Sequence, residues 1–145
     1  MRVFLDTNVL VAASIRQHPH FARADEVMAR CVTGADEGIV HAHSLLEFFS
    51  AVTQLPGGLA VPPAAVESLL QGAILPHVRV VRLSAAKVRQ VLGRAGRQGL
   101  VGGIVYDLYH LVAAEQAEVA RFYTFNTQDV RRLAEPGWVD RIIAP

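Results

Sequence analysis

Apolar residues along this chain follow two rhythms. Short, largely apolar runs at residues 3–5, 39–42, 78–83 and 121–125 read as buried strands. Between them lie longer stretches with helical spacing, at residues 9–13, 21–32, 44–55, 64–75, 84 to about 97, 104–118 and 127–133. The amphipathic stretch 21–32 sets Phe21, Ala24, Val27, Met28 and Cys31 on one face. Breaks fall at His18-Pro19-His20, at the polar loop 34–38, at Pro56-Gly57-Gly58 and at Pro76. Pro62-Pro63 opens one helix at the permissive first turn, and Ser84 reads as the N-cap of another. Gly93, Gly96, Gly99, Gly102 and Gly103 predict a pliable connection, and residues 138–143 a fifth, edge strand anchored by Trp138. Strands that alternate with helices predict a parallel sheet of four to five strands covered on both faces, a three-layer α/β/α sandwich.

Composition narrows the class. With 145 residues, 52% hydrophobic and 19% charged, the chain is expected to fold as one domain spanning residues 1–145. No apolar run approaches the ~20 residues that span a bilayer, and Asp6 and Asn8 interrupt any apolar core of a signal peptide. The single cysteine, Cys31, excludes an internal disulfide and a thiolate metal cage and reads as a small core residue. A cytoplasmic location is the expectation, with no membrane partner.

The chemistry lies where strands give way to helices. Asp6 ends the first strand within Leu5-Asp6-Thr7-Asn8-Val9, at the sheet edge where open α/β sheets bind ligands. Glu47 follows the second strand, although Ser44-x-x-Glu47 is also the pattern of a capping box. Asp107 interrupts the apolar segment Ile104-Val105-Tyr106-Asp107-Leu108-Tyr109, where an unpaired carboxylate is costly to bury. Asp129 follows the fourth strand in Thr124-Phe125-Asn126-Thr127-Gln128-Asp129, where capping by Asn126 or Thr127 is the competing explanation. Parallel strands would gather all four acids into one cleft. Clustered carboxylates stay ionised beside a cation, and oxygen donors without cysteine suit Mg²⁺ or Mn²⁺. Such a metal activates water and neutralises phosphoryl oxygens, the chemistry of phosphodiester hydrolysis.

These motifs, in this order, resemble a PIN domain over essentially the whole chain. Length and motif order are most similar to the VapC-type toxin ribonucleases of VapBC toxin–antitoxin pairs. The resemblance implies a metal-dependent endoribonuclease in which Asp6, Glu47 and Asp107 hold Mg²⁺ or Mn²⁺ and Asp129 completes the site. It further implies that Thr7 and Asn8 orient Asp6, and that Thr124 and Asn126 support Asp129. Asn126 stands where some relatives carry an acid, which implies a weaker second metal site or none. The implied partners are RNA, a small antitoxin protein and a second copy of the chain.

The charge pattern gains meaning beside such a site. No acid occurs between Glu67 and Asp107, an interval holding Arg79, Arg82, Lys87, Arg89, Arg94 and Arg97. Lys87, Arg89, Arg94 and Arg97 are candidate phosphate-backbone contacts, a solvated helix face being the alternative. His18-x-His20 and His41-x-His43 lack an evident third ligand, so loop or packing roles are expected, with His43 within reach of substrate. His110, one turn beyond Asp107, is expected to pack within its helix rather than bond that acid. Two other functions stay open: a housekeeping RNA-processing PIN nuclease, and a non-catalytic PIN-like module that binds RNA or protein. A phosphatase with an aspartyl nucleophile is disfavoured, because Asn8 stands where its second acid belongs.

Overall fold

The computed structural model describes residues 1–145. Five strands form one all-parallel sheet: β1 (Arg2–Leu5), β2 (Glu37–His41), β3 (Val78–Val81), β4 (Arg121–Tyr123) and β5 (Ile142–Ile143), in the order β3-β2-β1-β4-β5. Helices α1 (Thr7–Ser14), α2 (Phe21–Val32), α3 (Ala42–Thr53) and α4 (Pro63–Ala73) fill the first half of the chain. Helices α5 (Ala85–Arg97), α6 (Ile104–Gln116) and α7 (Thr127–Leu133) fill the second.

Side-chain alternation along the strands builds a core on each face of the sheet. Val3, Leu5, Val40 and Tyr123 pack against α1 to α4, with Leu10, Phe48 and Leu70 among the filling residues. Phe4, Ile39, Phe122 and Ile142 face the other way, against Val91 of α5, Leu108 and Leu111 of α6 and Leu133 of α7. Phe4 and Phe122 are register partners on β1 and β4, and their rings stack at 4.7 Å. This is the expected three-layer sandwich. Its strand order grows from β1 to β3 in one direction, then restarts on the other side of β1 with β4. The reversal opens a crevice beyond the carboxyl ends of β1 and β4.

Several boundaries differ from the sequence expectation, each for a physical reason. Helix α3 begins at Ala42, so Ser44 lies inside it, buried, and no capping box forms. Gly93 and Gly96 belong to α5; the turn before α6 uses Gly99 and Gly102, whose φ of 63° and 74° suits glycine. Trp138 sits in a 3₁₀ turn over residues 136–141, beneath the Arg141 guanidinium, so the fifth strand shrinks to Ile142–Ile143. Ser84 caps α5 as expected, accepting from the Lys87 amide at 3.2 Å. Cys31 is buried and free, its thiol pushed up to about 11 by burial.

Candidate active site

Asp6 leaves β1 at the crevice and caps α1. Its Oδ1 accepts from the Thr7 amide at 2.7 Å. Its Oδ2 accepts from Asn8 Nδ2 at 2.9 Å and from the Thr124 hydroxyl at 2.6 Å. Asn8 also donates to Thr124 Oγ1 and accepts from the Phe125 amide, which ties the ends of β1 and β4 together. The capping contact expected of Asp6 is therefore real, and it stands beside the bonds from Asn8 and Thr124. Burial raises the Asp6 carboxyl above its ordinary range, and the Glu47 charge adds to this against the bonds from Thr124 and Thr7.

Glu47 projects from the second turn of α3 toward the same place. Its Oε2 accepts from the Thr7 hydroxyl at 3.1 Å, and its Oε1 lies 2.7 Å from His110 Nε2 and 3.1 Å from His43 Nε2. Burial pushes this carboxyl up, but the His110 bond, the nearby imidazoles and Thr7 outweigh it and hold it below its usual value. His110 thus bonds Glu47 and makes no hydrogen bond to Asp107.

Asp107 sits in the first turn of α6 with neither oxygen hydrogen-bonded within the protein. Burial raises it to about 6, and the charges of Asp6, Glu47 and Asp129 add to this against the opposing pull of His110. Asp129 lies in the first turn of α7, 41% exposed, with Arg132 Nη1 at 3.5 Å. Asn126 is the N-cap of α7 but makes no side-chain capping bond; its amide donates to Thr124 Oγ1. So the fold brings the four acids and Thr7, Asn8 and Thr124 to one crevice.

No three acid, histidine or cysteine side chains stand together so as to hold a metal ion among themselves. Mg²⁺ does not require such a group, since it keeps several waters and takes one or two carboxylates. The oxygen donors present, and an Asp107 crowded by negative charge with no donor of its own, fit such a cation.

The candidate RNA contacts divide. Arg94 is taken up inside the fold: Nη1 pairs with Glu115 at 3.0 Å and Nη2 donates to the Leu133 carbonyl at 2.7 Å. Glu115 lies eight residues, about 12 Å, beyond Asp107 along α6, so Arg94 braces the far ends of α6 and α7. A phosphate-contact role for Arg94 is corrected accordingly. Lys87, Arg89 and Arg97 carry no ion pair. A cavity of about 460 Å³ opens instead on the Glu47 side, where His18, His20 and Phe125 join Thr7 and Asn8 in its wall. His20 stacks on Phe125 at 4.5 Å and Arg23 covers that ring at 5.5 Å. Burial, with His20 beside it, lowers His18 below its ordinary value. The histidines are the residues that sequence reasoning placed least well. The His43–Glu47 spacing of four was visible, but it means a contact only once the helix starts before residue 43.

A doubly wound parallel sheet with acids gathered at its switch point defines an α/β protein of a known kind. A family model described as PIN domain matches residues 3–136, and the chain belongs to that family. No curated protein sequence matches it significantly. Among solved structures it is similar to VapC20 of Mycobacterium tuberculosis, described as a sarcin–ricin loop cleaving toxin. That match has 16% identity and a TM-score of 0.68, and covers 88% of this chain and 92% of the other. VapBC2 from Rickettsia felis, solved bound to a DNA fragment from their promoter, matches at 18% identity and TM-score 0.62, covering 91% and 92%. FitAcB from Neisseria gonorrhoeae matches at 20% and 0.63, covering 90% and 92%. At these identities the likeness concerns the fold.

Proposed function

We propose that this protein is a Mg²⁺- or Mn²⁺-dependent endoribonuclease that acts as the toxin of a type II toxin–antitoxin pair. The observation that carries the reading is the convergence of Asp6, Glu47, Asp107 and Asp129 on the crevice, with Asp107 ionisable, crowded and unbonded. Asp6, Asp107 and Glu47 would hold the metal, with Asp129 completing the site. When bound, the cation supplies charge neutralisation at the scissile phosphate and lowers the pKa of water. The chain's residues do the rest. Thr7, Asn8 and Thr124 fix both oxygens of Asp6, so its geometry is set before substrate arrives. Asp129, partly exposed in the first turn of α7, takes the proton of the attacking water. That oxygen bonds to phosphorus in line as the bond to the 3′-oxygen breaks, the 3′-oxygen takes a proton from solvent water, and the products carry 5′-phosphate and 3′-hydroxyl ends. Lys87, Arg89 and Arg97 remain candidate backbone contacts.

The names of the similar structures support the biological role. VapC20 is called a cleaving toxin, and VapBC2 is a two-component assembly. Leu46 and Phe49 on α3, and Leu92 on α5, are exposed apolar side chains suited to an antitoxin or to a second copy of the chain. No helix is long and apolar enough to cross a membrane.

The test is cleavage of total and defined RNAs by purified protein in Mg²⁺, Mn²⁺ or EDTA, with Asp107→Asn alongside. Discrete products that require metal, and a rate reduced at least ~100-fold in the variant, are expected. Full activity in EDTA or in Asp107→Asn would overturn the assignment.

A further inference from the structure

Two fully buried histidines stand behind the acidic crevice with no part in the chemistry above. His110 of α6 and His41, the last residue of β2, are each 1% exposed, and their Nδ1 atoms face each other at 3.1 Å. The other nitrogen of His110, Nε2, lies 2.7 Å from Glu47 Oε1. Tyr109 packs edge-on against the His41 ring at 4.2 Å, and Phe4 flanks His110.

The proton positions follow from the acceptor at one end. A carboxylate oxygen only accepts, so Nε2 of His110 carries a hydrogen whatever the state of the ring. Its Nδ1 then either accepts from His41 or donates to it, and His41, held neutral by burial and by its imidazole neighbours, serves in both cases. The Glu47 side of the chain is thus a fixed N–H donor. Each oxygen of Glu47 then takes one hydrogen bond, Oε1 from His110 and Oε2 from Thr7, with His43 Nε2 a further 3.1 Å neighbour of Oε1. Each oxygen keeps a second lone pair.

We infer that His110, backed by His41, is a positioning residue that pins Glu47 by Oε1 and so sets the orientation in which this carboxylate meets a divalent cation. The inference rests on the metal-dependent reading and deepens it. Partners of this kind orient metal-binding carboxylates, and their loss typically weakens metal affinity 10–100-fold.

Two variants of similar size separate positioning from packing. His110→Gln keeps a donor near the Nε2 position and loses the contact to His41; His110→Asn keeps the inner contact and loses the bond to Glu47. Calorimetric titration of metal-stripped protein with Mn²⁺ should find His110→Gln within about threefold of wild type and His110→Asn weaker by about tenfold or more. Equal affinities, equal losses, or the reverse order would overturn the positioning role while leaving the nuclease reading intact. Wild-type protein without a saturable Mn²⁺ site would remove the metal reading and this inference with it. A second measurement needs no variant and so no assumption about folding. In long-range ¹H–¹⁵N spectra of wild type, His110 Nε2 should stay protonated in EDTA and shift on adding Mg²⁺. An Nε2 that is unprotonated, or unmoved by Mg²⁺, would overturn the inference.

Discussion

Asp6 and Asp107 face the same crevice under opposite terms. Asp6 is buried but receives three donors, from Thr7, Asn8 and Thr124. Asp107 receives none, and its carboxyl is raised to about 6 by burial and by the neighbouring acids. A folded-state value above the unfolded one means that the protonated form is preferred on folding. That stability is complete below the ordinary aspartate value and is lost as pH rises through about 6. Asp107→Asn has no proton to lose, so in EDTA it should be more stable than wild type at pH 7.5. The carboxylate is partly solvated, so the gain is about 1 kcal/mol rather than the full shift. At pH 4 the difference should nearly vanish. Urea unfolding at the two pH values measures it, and a variant less stable than wild type at pH 7.5 would show that Asp107 is held by contacts of its own. The substitution that removes activity would then also be one that relaxes the fold, the usual bargain at a preorganised site.

At the scale of elements, most of the fold was legible because apolar runs and breakers were local signals. Strands β1 to β4 and all seven helices lie where the periodicity predicts them, with ends shifted by a few residues. The misplaced boundaries have a common cause. Ser44-x-x-Glu47 has the sequence of a capping box, but tertiary burial of Ser44 moved the helix start to Ala42 and freed Glu47 for His110. A local motif cannot report a partner 63 residues away. Another non-local constraint lies at Gly38, in β2 under α2. A methyl group there would stand 3.0 Å from Cys31 Sγ and 3.0 Å from Val78 Cγ1. Gly38→Ala should therefore cost about 1–3 kcal/mol through overpacking. Cys31→Ala removes one of the two obstructing atoms, so the double variant should recover at least ~0.5 kcal/mol relative to the sum of the singles. Strict additivity in denaturant titrations would mean that Cys31 shifts aside without strain.

The whole molecule assembles one site from parts that are not equally anchored. β1 carries Asp6, pairs on both sides and has fully buried Val3, Phe4 and Leu5. Asp129 rides on α7, a helix of seven residues, next to a two-residue edge strand. Those two are fastened to each other: Arg131 donates twice to the Ile142 carbonyl, at 3.0 and 2.7 Å. The gathering of four distant acids was foreseeable from parallel strands, because each acid follows a strand or opens a helix. Which of them sits on firm ground was not, since it depends on pairing and burial that no local pattern encodes. Backbone amides protected by central pairing and two-sided burial exchange through global unfolding, whereas short edge elements open on their own. Hydrogen exchange should accordingly find residues 3–5 protected to the limit of global stability. Residues 127–143 should exchange faster, together, as one unit. A ligand that bridges firm and loose parts binds the closed form and stabilises it by mass action. Saturating Mg²⁺ should then slow exchange in residues 127–133 while leaving residues 3–5 unchanged. If those residues exchange alike in EDTA and in Mg²⁺, Asp129 does not engage the cation, and the metal is held by Asp6, Glu47 and Asp107 without it.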